Sequence, residues 1–485
     1  MGLKKAALTG ARWTLAARVG MQLVTWPVTI VVMRLLEPSD YGLFAMALLV
    51  SGFITLFSEL GLGVALVQAP KLSETQIRMA CTLVLVLNAT IGLIIAALAP
   101  LAAKVFNEPD VMLVMWVLTA ELLFSAFATV PLALLERELK FKQVSLGHMA
   151  GGLAGSGVTL AAAALDAGVW ALVLGTLATA LVRSAAWVAF YGSLVRPGPL
   201  RLDTLKPMLS VSSHALASRV LWYWAGQADQ LILGRLLHAT ALGCYSVAAQ
   251  LAMLPVGKAM EAVNRVAFPI MSRLQGDDGA SRTPYTNTSA LLALYGFGVC
   301  WGLSAVAPEF VQLVLGDRWL QATLPLTLLS LVAPLRMLCA FNNTVVTAIG
   351  APEVATRELL LGSVLIPAAV GAGAFLGGLS GAAWALLLAY PPVYLFSVYL
   401  TAPAVGIPRL QALGGILAPL FSGLCMLAAV CACREAMGTD SPVALRLLAG
   451  ICTGSLVYLG VLWFLAKPLL MGAKGWASEL LRPQK

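Results

Sequence analysis

Charge is what this sequence has least of. Lys, Arg, Asp and Glu make up 11% of its 485 residues, against about a quarter in a soluble domain. Histidine is almost absent: His148, His214 and His238 are the only three, and none sits at a useful catalytic or metal-binding spacing from another. No P-loop, GxSxG or zinc-type pattern occurs. The longest polar stretch, residues 272–288, is too short to fold alone. Segments of about ten residues with alternating hydropathy, the mark of a membrane β-barrel, are missing as well. The eight cysteines form no disulfide framework, because Cys81, Cys300, Cys339, Cys425 and Cys452 sit inside apolar runs. "CAC" at 431–433 has no His or acid at ligand spacing. These absences argue against a soluble enzyme and against a metal or cofactor centre.

What is present is apolar chain, with 60% hydrophobic residues. Runs of about 20 such residues recur from end to end, each long enough to cross a hydrocarbon core about 30 Å thick. The expectation is an all-α polytopic membrane protein with fourteen helices. They fall at 12–36, 41–67, 77–103, 111–135, 143–165, 168–194, 207–237, 241–270, 286–308, 320–350, 356–376, 379–402, 411–433 and 443–466. Residues 1–13 read as a basic lead into the first helix rather than a cleaved leader. With both termini placed inside, the inside segments hold nineteen Lys and Arg, and the outside loops hold four: Lys104, Arg318, Arg434 and Arg446. That bias predicts cytoplasmic termini. It also explains the net charge of +9 by topology, without nucleic acid.

The chain repeats itself. Residues 13–47 laid without gaps on 214–248 match at nine positions, including Arg18 with Arg219, Arg34 with Arg235 and Gly42 with Gly243. Arginines within the membrane are rare, so the two matched pairs carry most of the weight. The offset spans six helices, an even number, so both halves enter the membrane in the same orientation as parallel repeats. The expected organisation is one lobe at 1–203, a second at 204–408, and two extra helices with a tail at 409–485.

The ordered motifs "RLLEPSDYGLFAMA" (34–47), "FSELGLGVALVQ" (57–68), "LLERELKF" (134–141), "ADQLILGRLLHATALGCYSVA" (228–248), "FPIMSRLQ" (268–275), "GDRWLQATLPL" (316–326) and "AIGAPE" (348–353) run along most of the chain. In this the sequence resembles the polysaccharide-transporter branch of the multidrug/oligosaccharidyl-lipid/polysaccharide superfamily. The resemblance implies a Wzx-type flippase of the bacterial inner membrane. Its substrate would be an undecaprenyl-diphosphate-linked oligosaccharide, turned from the cytoplasmic to the periplasmic leaflet. The implied fold is MATE-like, with two six-helix lobes around a central cavity, and the implied state is a monomer. A glycan polymerase and a chain-length regulator are conceivable partners.

Charged residues inside the helices are the candidates for such a site. Arg18 and Gln22 share a helical stripe with Trp26, and Arg219 shares one with Tyr223, Gly226 and Gln230. A guanidinium fork suits diphosphate oxygens; the bland reading is snorkelling to headgroups. Lys258, Glu261 and Arg265 lie on one face, either lining a cavity or forming a salt-bridge ladder. Arg336 follows Pro334 on a helix that also carries Asn342 and Asn343. Arg183 has weaker context. Asp229, Glu121 and Glu59 are candidates for ion coupling or gating, or for pairing with a cavity arginine. Asp229 breaks the symmetry of the repeat, since its mate is Val28. Arg34 and Arg235 sit near helix ends, as gate or interface residues would. Gly151 and Gly155 read as close-packing positions. The turn "ERELKFKQ" (136–143) is basic and amphipathic, suited to anionic membrane lipids.

The functional alternatives separate on these residues. A MATE-like antiporter for small molecules or cations would prefer cavity acids to arginines. A membrane-bound glycan polymerase or ligase would want a large outer loop with catalytic side chains, and the outer loops here are short. A pure scaffold stays open on sequence, although intramembrane charges that nothing uses would be costly for it.

Overall fold

The computed structural model describes residues 20–56, 66, 72–191, 196, 198, 213–275, 281–438 and 440–465, with the backbone alone at 213–219 and 222. Among them are fourteen long helices: α1 (Gly20–Leu35), α2 (Pro38–Thr55), α3 (Glu74–Phe106), α4 (Asp110–Arg137), α5 (Phe141–Ala164), α6 (Val169–Tyr191), α7 (Ser213–Leu236), α8 (Ala239–Arg273), α9 (Arg282–Ala305), α10 (Thr323–Ala348), α11 (352–376), α12 (379–405), α13 (Arg409–Met437) and α14 (Val443–Leu465). Ten segments, with α11 and α12 taken as one run, are long and apolar enough to cross a membrane. Large apolar side chains face outward on them, including Leu93, Phe375 and Leu388. In water such a surface would aggregate; in lipid it is solvated. The protein is a multi-pass helical membrane protein, as its composition requires.

Local chemistry sets the helix boundaries. Ser73 opens α3 with a reciprocal cap: its Oγ accepts from the Gln76 N–H at 3.2 Å, and Gln76 Oε1 accepts from the Ser73 N–H at 2.9 Å. Asn107 closes α3 in the left-handed region, φ 56°. The Pro352–Val405 run is 54 residues, about 80 Å if it were straight, far more than a bilayer holds. Gly377 and Gly378 break it, and Gly378 adopts φ 58° and ψ −141°, a conformation open to glycine alone. α9 and α10 are joined by a helical turn, a π turn over Val311–Leu315 and a 3-10 turn over Asp317–Ala322, with Trp319 fully buried.

The chain forms two compact units. The first comprises Met1–Tyr223 and His238–Gly243; the second comprises Trp224–Leu237 and Cys244–Lys485. In the first, α3, α4 and α6 share a core that includes Val84, Val130, Leu134 and Trp187. α5 packs on α6 through small residues. A Cβ on Gly155 would collide with Thr179 Oγ1, and one on Gly151 would lie 2.8 Å from the Thr179 carbonyl. α2 rests on α3, α4 and α6. The first turns of α2 and α8 meet at backbone distance. A Cβ on Gly42 would strike the carbonyl of Ala239, and one on Gly243 would strike the carbonyl of Pro38. These four residues are two matched pairs in the 201-residue register. The contact is therefore reciprocal in that register. Glu108 Oε1 accepts from the Ala239 N–H at 3.3 Å, so a carboxylate meets the positive end of α8.

In the second unit, α9 packs on α10 and α13, and α13 packs on α14. Phe297, Phe341, Met337 and Tyr458 lie in their shared core. One ion pair ties its end. Arg434 Nε lies 2.7 Å from Glu309 Oε1, and Arg434 Nη2 lies 2.9 Å from Glu309 Oε2, a two-pronged pairing. The Glu309 side chain is 6% exposed. Arg434→Ala would strand that carboxylate, and the expected loss is about 3–5 kcal/mol. A lowered melting temperature of the purified protein reads this out, with Arg434→Lys falling between.

Candidate functional site

The most developed polar group lies in the second unit and draws on four helices. Asp229 of α7 is buried, 6% exposed. Its Oδ2 accepts from the Tyr245 hydroxyl of α8 at 2.7 Å, and its Oδ1 accepts from the Gln230 N–H at 2.8 Å. Tyr245 is fully buried, which fixes the direction of that hydroxyl. Arg336 of α10 stands in electrostatic range of Asp229 and Tyr245, with no direct ion pair among the described residues. Its guanidinium carbon lies 5.4 Å from the Tyr390 ring centre on α12, a cation–π distance. The result is a guanidinium on an aromatic face, with a carboxylate near enough to balance it and too far to occupy its donors. Gln227 and Gln230, which flank Asp229 on α7, join each other at 2.9 Å. Of the residues singled out from sequence, Asp229 and Arg336 are thus brought together.

The others are placed elsewhere or lie outside the described residues, as Arg18 and Glu59 do. Arg219 belongs to α7, but its side chain is not described. Tyr223 donates its hydroxyl to the Leu49 carbonyl of α2 at 2.7 Å and stands against Phe53. Its ring is positioned, and its proton is already committed. Gln22 is half-buried on α1. Arg34 and Arg235 are exposed near the ends of α1 and α7. On α8, Arg265 pairs with Glu261 at 2.5 Å and both are accessible, while Lys258 is exposed on the same helix. In the first unit, Glu121 of α4 lies in electrostatic range of Arg183 of α6, whose guanidinium carbon is 5.8 Å from the Trp187 ring. His148 meets that ring edge-on at 5.0 Å. This second mixed group repeats the pattern of acid, arginine and aromatic.

At the turn between α4 and α5, Lys140 Nζ lies 2.6 Å from Glu138 Oε2 and 5.3 Å from the Tyr191 ring. The Lys140 ammonium first, then the Tyr191 hydroxyl, holds the Glu138 carboxyl below the ordinary carboxylate range. A lowered acid contributes above its unfolded value and loses its contribution as pH falls through the folded one. The turn is thus fully formed at neutral pH and loosens in acid.

Sequence reasoning passed over Glu358 of α11, which is 5% exposed. A signal existed: Ala355, Glu358, Gly362 and Ile366 recur at helical spacing, and all but Glu358 are small or apolar.

Fold and polar groups together define a polytopic helical transporter-type protein with charges held inside its membrane-spanning bundle. A family model described as "Polysaccharide biosynthesis protein" matches residues 31–324, more than half of the chain. The chain belongs to that family. It is 26% identical over 349 residues to the lipopolysaccharide biosynthesis protein WzxC of Escherichia coli (strain K12), covering 69% of this chain and 68% of the relative. It is 24% identical to the teichuronic acid biosynthesis protein TuaB of Bacillus subtilis (strain 168), covering 95% of this chain and 96% of the relative. A structure titled lipid II flippase MurJ, inward closed conformation, superposes with a TM-score of 0.72 at 12% identity, covering 94% of this chain and 99% of that one. That likeness shows that the chain shares the fold of the MurJ structure.

Proposed function

We propose that this protein is a flippase of the bacterial inner membrane. It carries an undecaprenyl-diphosphate-linked oligosaccharide from the cytoplasmic to the periplasmic leaflet by alternating access, for the synthesis of a surface or exported polysaccharide. Membership of the polysaccharide biosynthesis family supports this, as do the two relatives named for polysaccharide pathways. The single observation that carries the reading is Arg336. A guanidinium held within the membrane-spanning bundle, on an aromatic face and with no direct ion pair among the described residues, is suited to a diphosphate. Asp229 balances its charge while the site is empty, and the diphosphate replaces Asp229 when substrate enters. Arg18 and Arg219, matched in the repeat, are assigned the same kind of contact. Tyr223 and Gln22 are assigned to the sugar or prenyl part. Lys258 and Arg265 are assigned to attracting the anion from the inner side, and Glu121, Glu59 and Arg34 to gating.

The nineteen-to-four distribution of Lys and Arg supports cytoplasmic termini. Two repeats, 1–203 and 204–408, form the moving halves, with 409–485 as an addition. No covalent step is needed, since the product differs from the substrate only in its leaflet. An antiporter for organic cations would place an arginine such as Arg336 at a disadvantage, because it repels the cargo.

Reconstitution tests this. The full-length protein is placed in liposomes with the lipid-linked oligosaccharide extracted from its host, and an impermeant glycosidase digests the outward-facing share. The expected result is digestion of the inner pool within the assay, against the outer pool alone in empty liposomes. Equal digestion in both would overturn the proposal.

A further inference from the structure

Glu358 sits on α11 roughly 9 Å along the helix from Pro352, inside the second unit, where α9, α10 and α12 surround it. The Tyr285 hydroxyl of α9 donates to Asn342 Oδ1 of α10 at 2.9 Å, and Asn342 Nδ2 donates to Ser397 Oγ of α12 at 2.8 Å. Ser397 therefore keeps its own hydrogen for Glu358, which it contacts together with the Cys339 thiol. Those are its two side-chain hydrogen-bonding neighbours. Glu358 Oε2 is buried and has no partner. One turn beyond Ser397, Thr401 Oγ1 is likewise buried and unpartnered.

No cation among the described residues pairs with this carboxyl. The titratable groups facing the cluster are Tyr285 from α9, Cys339 from α10 and Tyr394 from α12. Arg357 and Glu353 on α11 are exposed. Arg336, a turn from Cys339 on α10, serves the Asp229 and Tyr390 group. A bare carboxylate with one empty oxygen in such a place is strongly disfavoured and takes up a proton instead. Asp229 differs in its surroundings: it accepts from two donors and has a guanidinium in electrostatic range.

We propose that Glu358 is the proton-binding site that couples transport to the proton gradient. This rests on the flippase reading. A proton from water adds to Oε2 and discharges the carboxylate while the four helices are packed; when they part and water enters, the O–H bond breaks and the proton returns to solvent. The ligand set favours a proton over a metal cation. A hard cation wants about six oxygens, whereas this site offers one carboxylate, one hydroxyl and a thiol, with the Asn342 oxygen already taken by Tyr285.

Infrared difference spectroscopy of the full-length protein in lipid nanodiscs, stepped in pH, tests the site without any substrate. The wild type is expected to show a protonated-carboxyl C=O band that disappears as pH rises. Glu358→Gln is expected to lack that component at an unchanged melting temperature, and Glu358→Asp to shift it. In liposomes with an entrapped pH dye, Glu358→Gln is expected to lower substrate-dependent proton movement at least tenfold. A band of full amplitude in Glu358→Gln, or one removed by sodium ions at constant pH, would overturn the proposal. The band answers independently of the flipping assay, so failure of one reading is separable from failure of the other.

Discussion

Arg336→Ala is expected to lower flipping by about ten- to a hundredfold, the worth of one hydrogen bond to a charged group. It is also expected to destabilise the protein, because the buried Asp229 then loses the guanidinium in electrostatic range of it. These two losses have different origins and separate in a double mutant. Asp229→Asn keeps the Tyr245 contact in reversed or weakened form and removes the stranded charge. Arg336→Ala with Asp229→Asn is therefore expected to regain most of the melting temperature and none of the transport. Recovery of both would mean that Arg336 only holds Asp229, as a structural pair. Arg336→Lys keeps the charge but not the fork or the flat stacking surface on Tyr390, so partial transport is expected. The coupling energy from such a cycle is the quantity to measure.

Gly42→Val and Gly243→Val are expected to abolish transport and to lower stability by at least about 1–3 kcal/mol, the usual cost of overpacking. At both sites the first new atom meets a main-chain carbonyl rather than a side chain that could turn aside. The starts of α2 and α8 must then separate. Because the two contacts are reciprocal, each single variant is expected to have nearly the full effect of the pair. Gly157 on α5 has open space around its Cβ position. Gly157→Ala is expected to leave transport intact, with stability unchanged or raised by about 0.5 kcal/mol. Thermal melting and flipping of the three variants side by side would expose a general intolerance of glycine substitution.

Much of this fold was legible because the membrane simplifies the reading. Apolar length marked most of the spans, and the Gly377–Gly378 pair breaks α11 from α12. α7 is less apolar than its neighbours and is not among the segments that qualify as spans by hydropathy. It is read at 207–237 with the other helices, and its Arg219 and Arg235 answer Arg18 and Arg34 at an offset of 201 residues. The site was legible residue by residue but not as a group. Asp229 and Arg336 each stood out as charges in apolar runs, yet their approach depends on how α7 and α10 pack, which no local pattern encodes. Glu309 and Arg434, 125 positions apart, looked like ordinary loop charges. Glu358 was hidden for the same reason: beside Arg357 and close to a helix start, it resembled a solvated end, and only the surrounding α9, α10 and α12 bury it.

The most direct test of the account is made in the native host. With the gene deleted, lipids are extracted for mass spectrometry of undecaprenyl-diphosphate-linked oligosaccharides, and spheroplasts are treated with an impermeant glycosidase to assign the leaflet. The account predicts that these lipids accumulate on the cytoplasmic side, that the wild-type gene clears them, and that Arg336→Ala with Asp229→Asn, folded and inserted, does not. Normal arrival of the lipid-linked oligosaccharide at the outer leaflet, in a strain lacking every other flippase of this kind, would contradict it.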